Sequence, residues 1–239
     1  MKLFALSIVI LISIVQSHAQ DTVSYYREAG AVDFSKMWIL DSIETERGKF
    51  FKRPEPLGFI GDDYQRFQIH FTSVVRSKVD PYEYVVRGKT KVRTNIGAFH
   101  GTLHIDRAFL YRDNEFPGYK LGRLEGRYLF FEDRESPGSG SLRGTFNLDW
   151  FLDGKNKPQY NALWAVADGF TNNEFRGAWT SYRSKLSKKC NWGDFRIPDC
   201  GDLDSGAGEF GVNTKYLNHG WRDYSSGWDS TTTTIAWWR

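Results

Sequence analysis

Residues able to do chemistry are sparse in this chain, and the most suggestive lie near its C-terminal end. Asp199, Asp202, Asp204 and Glu209 alternate with Gly201, Gly206 and Gly208. Asp202-Leu203-Asp204-Ser205-Gly206 has the spaced carboxylates and tight-turn glycine of a Ca2+ loop, and Asp202, Asp204 and Glu209 are the candidate metal ligands. The spacing to Glu209 is too short for an EF-hand, and the same residues also suit a solvated turn capped by its own aspartates. His100 and His104 fall on one face of a strand, with His70 on a neighbouring one. At the usual rise the first two stand roughly 13 Å apart, too far to chelate one metal. Glu132, Asp133 and Glu135 could supply the paired carboxylates of a glycosidase but sit beside a hairpin turn, where charge is ordinary. No Gly-x-Ser-x-Gly elbow, phosphate-binding glycine loop or His-Glu-x-x-His is present, so nucleophilic and zinc hydrolysis have no support.

Binding chemistry is better represented. Aromatic residues make up 16% of the chain, with nine Trp among them. Tyr84, Trp150, Trp164, Trp179 and Tyr182 lie on strand-like segments, and those facing inward would line a pocket for a flat apolar ligand or a sugar face. Plain core packing is the alternative. Cys190 and Cys200 are close enough in sequence for a disulfide, provided the chain reaches an oxidising compartment. Arg87, Lys89, Lys91 and Arg93 form a basic stripe that reads as a solvated outer face.

The elements that must position these residues are strands. Three successive stretches alternate apolar and polar residues: Gln65, Phe67, Ile69, Phe71, Ser73 and Val75 share a face, then Tyr82 to Val92 in steps of two, then Phe99, Gly101, Leu103 and Ile105. This is the pattern of an antiparallel sheet with one wet side. Further strands are expected over 34–44, 121–132, 142–151, 160–167 and 174–182, joined by turns such as Ser136-Pro137-Gly138-Ser139-Gly140. Residues 46–61 read as a long connection. An all-β, antiparallel up-and-down barrel of about eight strands, spanning residues 20–185, accounts for this count. Residues 186–239 lose the alternation and read as an irregular Gly/Asp/Trp-rich extension packed on the barrel. They end in a loose tail or edge strand at 225–239.

A short repeat runs through these strands. Phe99-His-Gly101-Thr-Leu103, Leu124-Glu-Gly126-Arg-Tyr128, Leu142-Arg-Gly144-Thr-Phe146 and Phe175-Arg-Gly177-Ala-Trp179 each set a glycine between two inward-facing apolar residues. The pattern resembles the apolar-x-Gly-Thr-aromatic strands of avidin-type and lipocalin-type barrels, the calycin-like group, over residues 96–182. That resemblance implies an eight-stranded barrel with a ligand cavity. The opening Gly-x-Trp signature of lipocalins is missing near Trp38, so no ligand residues carry over.

Lys2, the apolar run from Leu3 to Val15 and the small residues Ser17-His18-Ala19 read as a signal peptide, cleaved near Ala19/Gln20. A secreted or periplasmic protein is expected. The ten Asn residues include no Asn-x-Ser/Thr sequon, which suits a bacterial source. No later apolar run reaches the ~18 residues of a membrane helix. The formal charge of +3 gives no reason to expect a nucleic-acid partner. The expected function is non-enzymatic binding of a small apolar, aromatic or glycan ligand. The alternatives are a carbohydrate-active enzyme on a β-sandwich and an envelope or interaction protein with a filled barrel.

Overall fold

The computed structural model describes residues 21–45, 48–113, 115–222, 224 and 236–239. The expected signal peptide lies outside the described residues, and so does most of the expected tail.

Twelve strands are present among the described residues. Three short ones come first: β1 (Thr22–Ser24), β2 (Ser42–Glu44) and β3 (Phe50–Lys52). Then follow β4 (Leu57–Ile60), β5 (Gln65–Arg76), β6 (Glu83–Val92), β7 (Asn95–Tyr111), β8 (Lys120–Glu132) and β9 (Gly140–Leu152). The last are β10 (Pro158–Tyr160), β11 (Asn172–Ser181) and β12 (Ser187–Asp194). Eight of them close into an all-antiparallel ring in the order β4-β5-β6-β7-β8-β9-β11-β12 and back to β4. Closure leaves no free edge in the ring.

The expected class is therefore observed, with corrections at both ends of the chain. Residues 34–44 form a turn of 3-10 helix, Ser35–Trp38, and the short β2, because Met37 and Trp38 are buried in succession rather than alternately. The supposed connection 46–61 contains β3 and β4. Only Tyr160 of the expected 160–167 strand is in a strand, β10. Residues 187–194, assigned by sequence to the extension, are the wall strand that closes the ring, so the irregular part begins after Asp194.

Inside the ring, glycines and aromatic rings are matched. A Cβ on Gly88 would lie 2.5 Å from the Phe99 ring, and one on Gly126 2.7 Å from the Phe146 ring. Each ring thus lies over the bare backbone of the adjacent strand, the packing that lets a strongly coiled sheet carry many aromatics. Phe175 stacks on Trp192 at 4.7 Å and Phe71 packs edge-on to Phe130 at 5.6 Å, so rings fill the middle of the barrel. Two bulges reset the alternation. After Phe71 the phase changes, so Val74 is buried and Val75, expected inside, is 59% exposed. After Ile105 the same happens, and Ala108 becomes the buried residue.

One end of the ring is plugged by the N-terminal segment. Phe34 packs edge-on against Trp150 at 5.1 Å, and its N–H donates to the Tyr84 hydroxyl at 3.1 Å. Trp38 packs on Tyr84 and Phe146. Arg53 clamps this plug to the wall, donating to the Met37 carbonyl at 2.9 Å and to Asp194 Oδ2 at 2.6 Å. The Tyr160 hydroxyl donates to the same oxygen at 2.6 Å. Burial opposes the Arg53 charge most, but Asp194, Tyr160 and Glu55 together outweigh it and the guanidinium pKa is raised. On the outside, Phe59, Ile197, Leu203, Phe210 and Trp221 form a second core that holds residues 195–222 against β4.

Candidate functional site

The opposite end of the ring is open and holds a cavity of about 310 Å3. It is lined where β5 and β7 begin and β4, β6 and β8 end, together with the turn before β9. Its deepest polar group follows from the alternation of β8: Leu124, Gly126, Tyr128 and Phe130 point inward, and Glu132, last in the strand, does the same. Glu132 is only 8% exposed. One carboxylate oxygen accepts from the Thr90 hydroxyl at 2.5 Å. The other accepts from the Gly140 N–H at 2.8 Å and from Trp179 Nε1 at 2.9 Å. Gly140 serves twice, since a Cβ there would lie 2.6 Å from the Trp179 ring.

The lip is more exposed. Arg93, held in a left-handed backbone conformation with φ 56°, donates from Nε to Gln65 Oε1 at 2.8 Å. Gln65 in turn donates to the His219 carbonyl at 2.7 Å, which ties the lip to the C-terminal segment. Asp63, Asn95 and Lys188 complete the exposed rim.

Of the aromatics expected to bind ligand, Trp179 lines this cavity. Tyr84 and Trp150 are fully buried at the plugged end and do not line it. Trp164 is 41% exposed on a turn, edge-on to Phe116. Tyr182 stands near the open end with the Arg134 guanidinium 4.4 Å from its ring centroid, outside the lining. Sequence reasoning missed Glu132 as an interior group by assigning it to the charged turn after it. The period-two pattern from Leu124 onward carried the signal.

In the acidic segment, protein groups engage Asp202 and Asp204. Asp204 is bound by Arg196 at 2.5 Å and by the N–H groups of Gly206 and Gly211. Asp202 is held by Lys215 and by the Tyr216 hydroxyl, which keep its carboxyl below the ordinary range. Glu209 is exposed. Among the described residues no three His, Cys, Asp or Glu side chains converge as metal ligands. Asp202 and Asp204 found their partners in neighbouring cations, a hydroxyl and backbone N–H groups, which spacing alone does not reveal.

The expected disulfide is likewise replaced by two free thiols. Cys190 faces into the barrel from β12, whereas Cys200 belongs to the outer core, so the sheet stands between them. Burial pushes the Cys190 thiol well above its ordinary pKa, with the Glu132 charge adding to it. His70 and His104 lie on the outer face, paired with Glu55 and with Asp80 and Asp106. Arg87, Lys89 and Lys91 point outward from β6, and no acid stands directly opposite them.

These features define an all-β ring of eight antiparallel strands with a filled middle, one plugged end and one open, polar end. No known protein family matches the chain, and neither characterised proteins nor solved structures gave a match. Among the described residues, no helix is long and apolar enough to cross a membrane.

Proposed function

We propose that the chain is an exported binding protein that takes a small polar ligand in the open end of the barrel, and that it is not an enzyme. One observation carries the reading: a cavity of about 310 Å3 whose floor is a buried carboxylate fixed by three donors beside an indole. That volume is near the lower bound of ~300–1,000 Å3 for small-molecule sites. The lining favours a ligand with several hydrogen-bonding groups over the apolar ligand that an aromatic-lined interior would take, because the interior is occupied by the protein's own rings. The calycin-like repeat supports a binding reading, since the resemblance implies a ligand cavity within the barrel. The leader pattern of residues 1–19 supports export.

The test is a thermal-shift and calorimetric screen of residues 20–239 against sugars, amino acids, amines and small organic acids. At least one class should raise the melting temperature, and Asn95→Trp, which fills the cavity from an exposed lip position, should abolish the effect. Binding that survives Asn95→Trp would move the site elsewhere. No binding in the millimolar range would leave the filled-barrel interaction protein as the reading, for which the packed interior is the supporting observation.

A further inference from the structure

The open end is electrically two-sided, and this bears on what it binds. Three carboxylates among the described residues are both nearly inaccessible and built into networks: Asp194, Asp204 and Glu132. Asp194 is neutralised by Arg53 at 2.6 Å and Asp204 by Arg196 at 2.5 Å. Glu132 has only neutral donors, the Thr90 hydroxyl, the Gly140 N–H and the Trp179 indole, and no cationic nitrogen lies within 4 Å of it among the described residues. A buried charge without a counter-ion is costly unless something supplies one. Its Thr90-bound oxygen accepts that single bond and keeps acceptor capacity for another donor.

The two cations of the cavity stand above it. Arg93 spends Nε on Gln65 and keeps its remaining guanidinium N–H groups for other acceptors. Lys188 is exposed on the facing strand, and Asp63 is the one acid beside them on the lip. From floor to lip the site therefore runs from negative to net positive. A ligand matching both ends carries a cation at one end and an anion at the other.

Resting on the binding reading above, we propose that the ligand is a small zwitterion of the amino-acid or dipeptide class, its ammonium on Glu132 and its carboxylate at Arg93 and Lys188. An ammonium has three donors and no acceptor, which suits a floor that offers a carboxylate and a hydroxyl oxygen. Charge-assisted pairs at both ends fix the ligand's direction as well as its affinity.

The experiment titrates the protein, residues 20–239, with the common amino acids and with glycyl dipeptides. The best binder is then compared with its N-acetyl derivative, which lacks the cation, and with its decarboxylated amine, which lacks the anion; monosaccharides are run beside them. N-acetylation should weaken binding about tenfold or more, the loss expected for a hydrogen bond to a charged group. Glu132→Gln should weaken the amino acid and the amine alike. Lys188→Gln, at an exposed position that leaves folding intact, should weaken the amino acid but not the amine. Equal binding of the N-acetyl derivative, or no effect of Lys188→Gln on the amino acid, overturns the zwitterion. Binding of saccharides alone overturns it and leaves the open-end site standing; silence across the panel overturns the zwitterion, and silence of amines and organic acids as well overturns the site itself.

Discussion

Gly126→Ala is the sharpest probe of how this ring closes. Gly126 faces inward from β8, opposite Ile105 on β7 and Phe146 on β9. A Cβ there would stand 2.0 Å from the His104 carbonyl oxygen and 2.7 Å from the Phe146 ring. The ring can swing aside, but the carbonyl belongs to the paired strand, so β7 and β8 must separate by about 1 Å or more. Overpacking of this kind costs about 1–3 kcal/mol, and stretching one or two ladder hydrogen bonds adds about 0.5–1.5 kcal/mol each. A total of about 1.5–6 kcal/mol lowers the melting temperature of a chain this long by roughly 3–24 °C. The assay is thermal unfolding followed by circular dichroism, with Gly154→Ala as control, because no atom lies within 4 Å of a Cβ at that position. Adding Phe146→Leu to Gly126→Ala should restore only part of the loss, since it relieves the ring contact and not the carbonyl contact. A Gly126→Ala protein melting within a degree or two of the parent would refute the claim that close strand approach, rather than chance, placed these glycines.

Other expectations follow from the buried networks. Arg53→Met leaves Asp194 buried without its cation and should cost about 3–5 kcal/mol in urea unfolding, whereas adding Asp194→Leu should recover much of it; additive losses would deny the coupling. With no reductant present, unfolded protein should expose two reactive thiols and native protein almost none; zero thiols after unfolding would restore the disulfide. Calcium at about 10 mM, well above the Kd of a weak extracellular site, should leave the melting curve unmoved, because Asp202 and Asp204 are already engaged by Lys215 and Arg196. Burial pushes the Tyr111 and Tyr224 hydroxyls up to about 12. Between pH 10 and 12 the unfolded chain releases these protons while the folded chain retains them, so stability is full below pH 10 and falls through that window. Phenolate absorbance of the folded protein should lag correspondingly, and ordinary titration of every tyrosine would contradict the burial.

The sequence by itself determined what depends on near neighbours. Alternation from Gln65 to Phe71, from Tyr84 to Thr90 and from Leu124 to Tyr128 can bury one face only as a strand, so the all-β class and much of the inner faces of β5, β6 and β8 were legible. So was the glycine repeat, although its partners were not. Which ring covers Gly88 or Gly126 depends on the register between strands, and the alternation within a strand is the same for any register. The bulge that exposes Val75 was invisible for a related reason: one inserted residue reverses the phase without changing the composition. Tertiary structure alone decided that Leu57–Ile60 and Ser187–Asp194 meet to close the ring. One is four residues long in a Pro/Gly-rich stretch, and the other opens with Ser187-Lys188-Lys189. Their strand identity comes from the neighbours that pair with them. The same holds for the candidate site. Glu132 continues the inward phase of β8, although the sequence reading placed it in the charged turn; only long-range pairing of β6, β8, β9 and β11 brings Thr90, Gly140 and Trp179 onto its carboxylate, and only the plug at the other end makes this the end that opens.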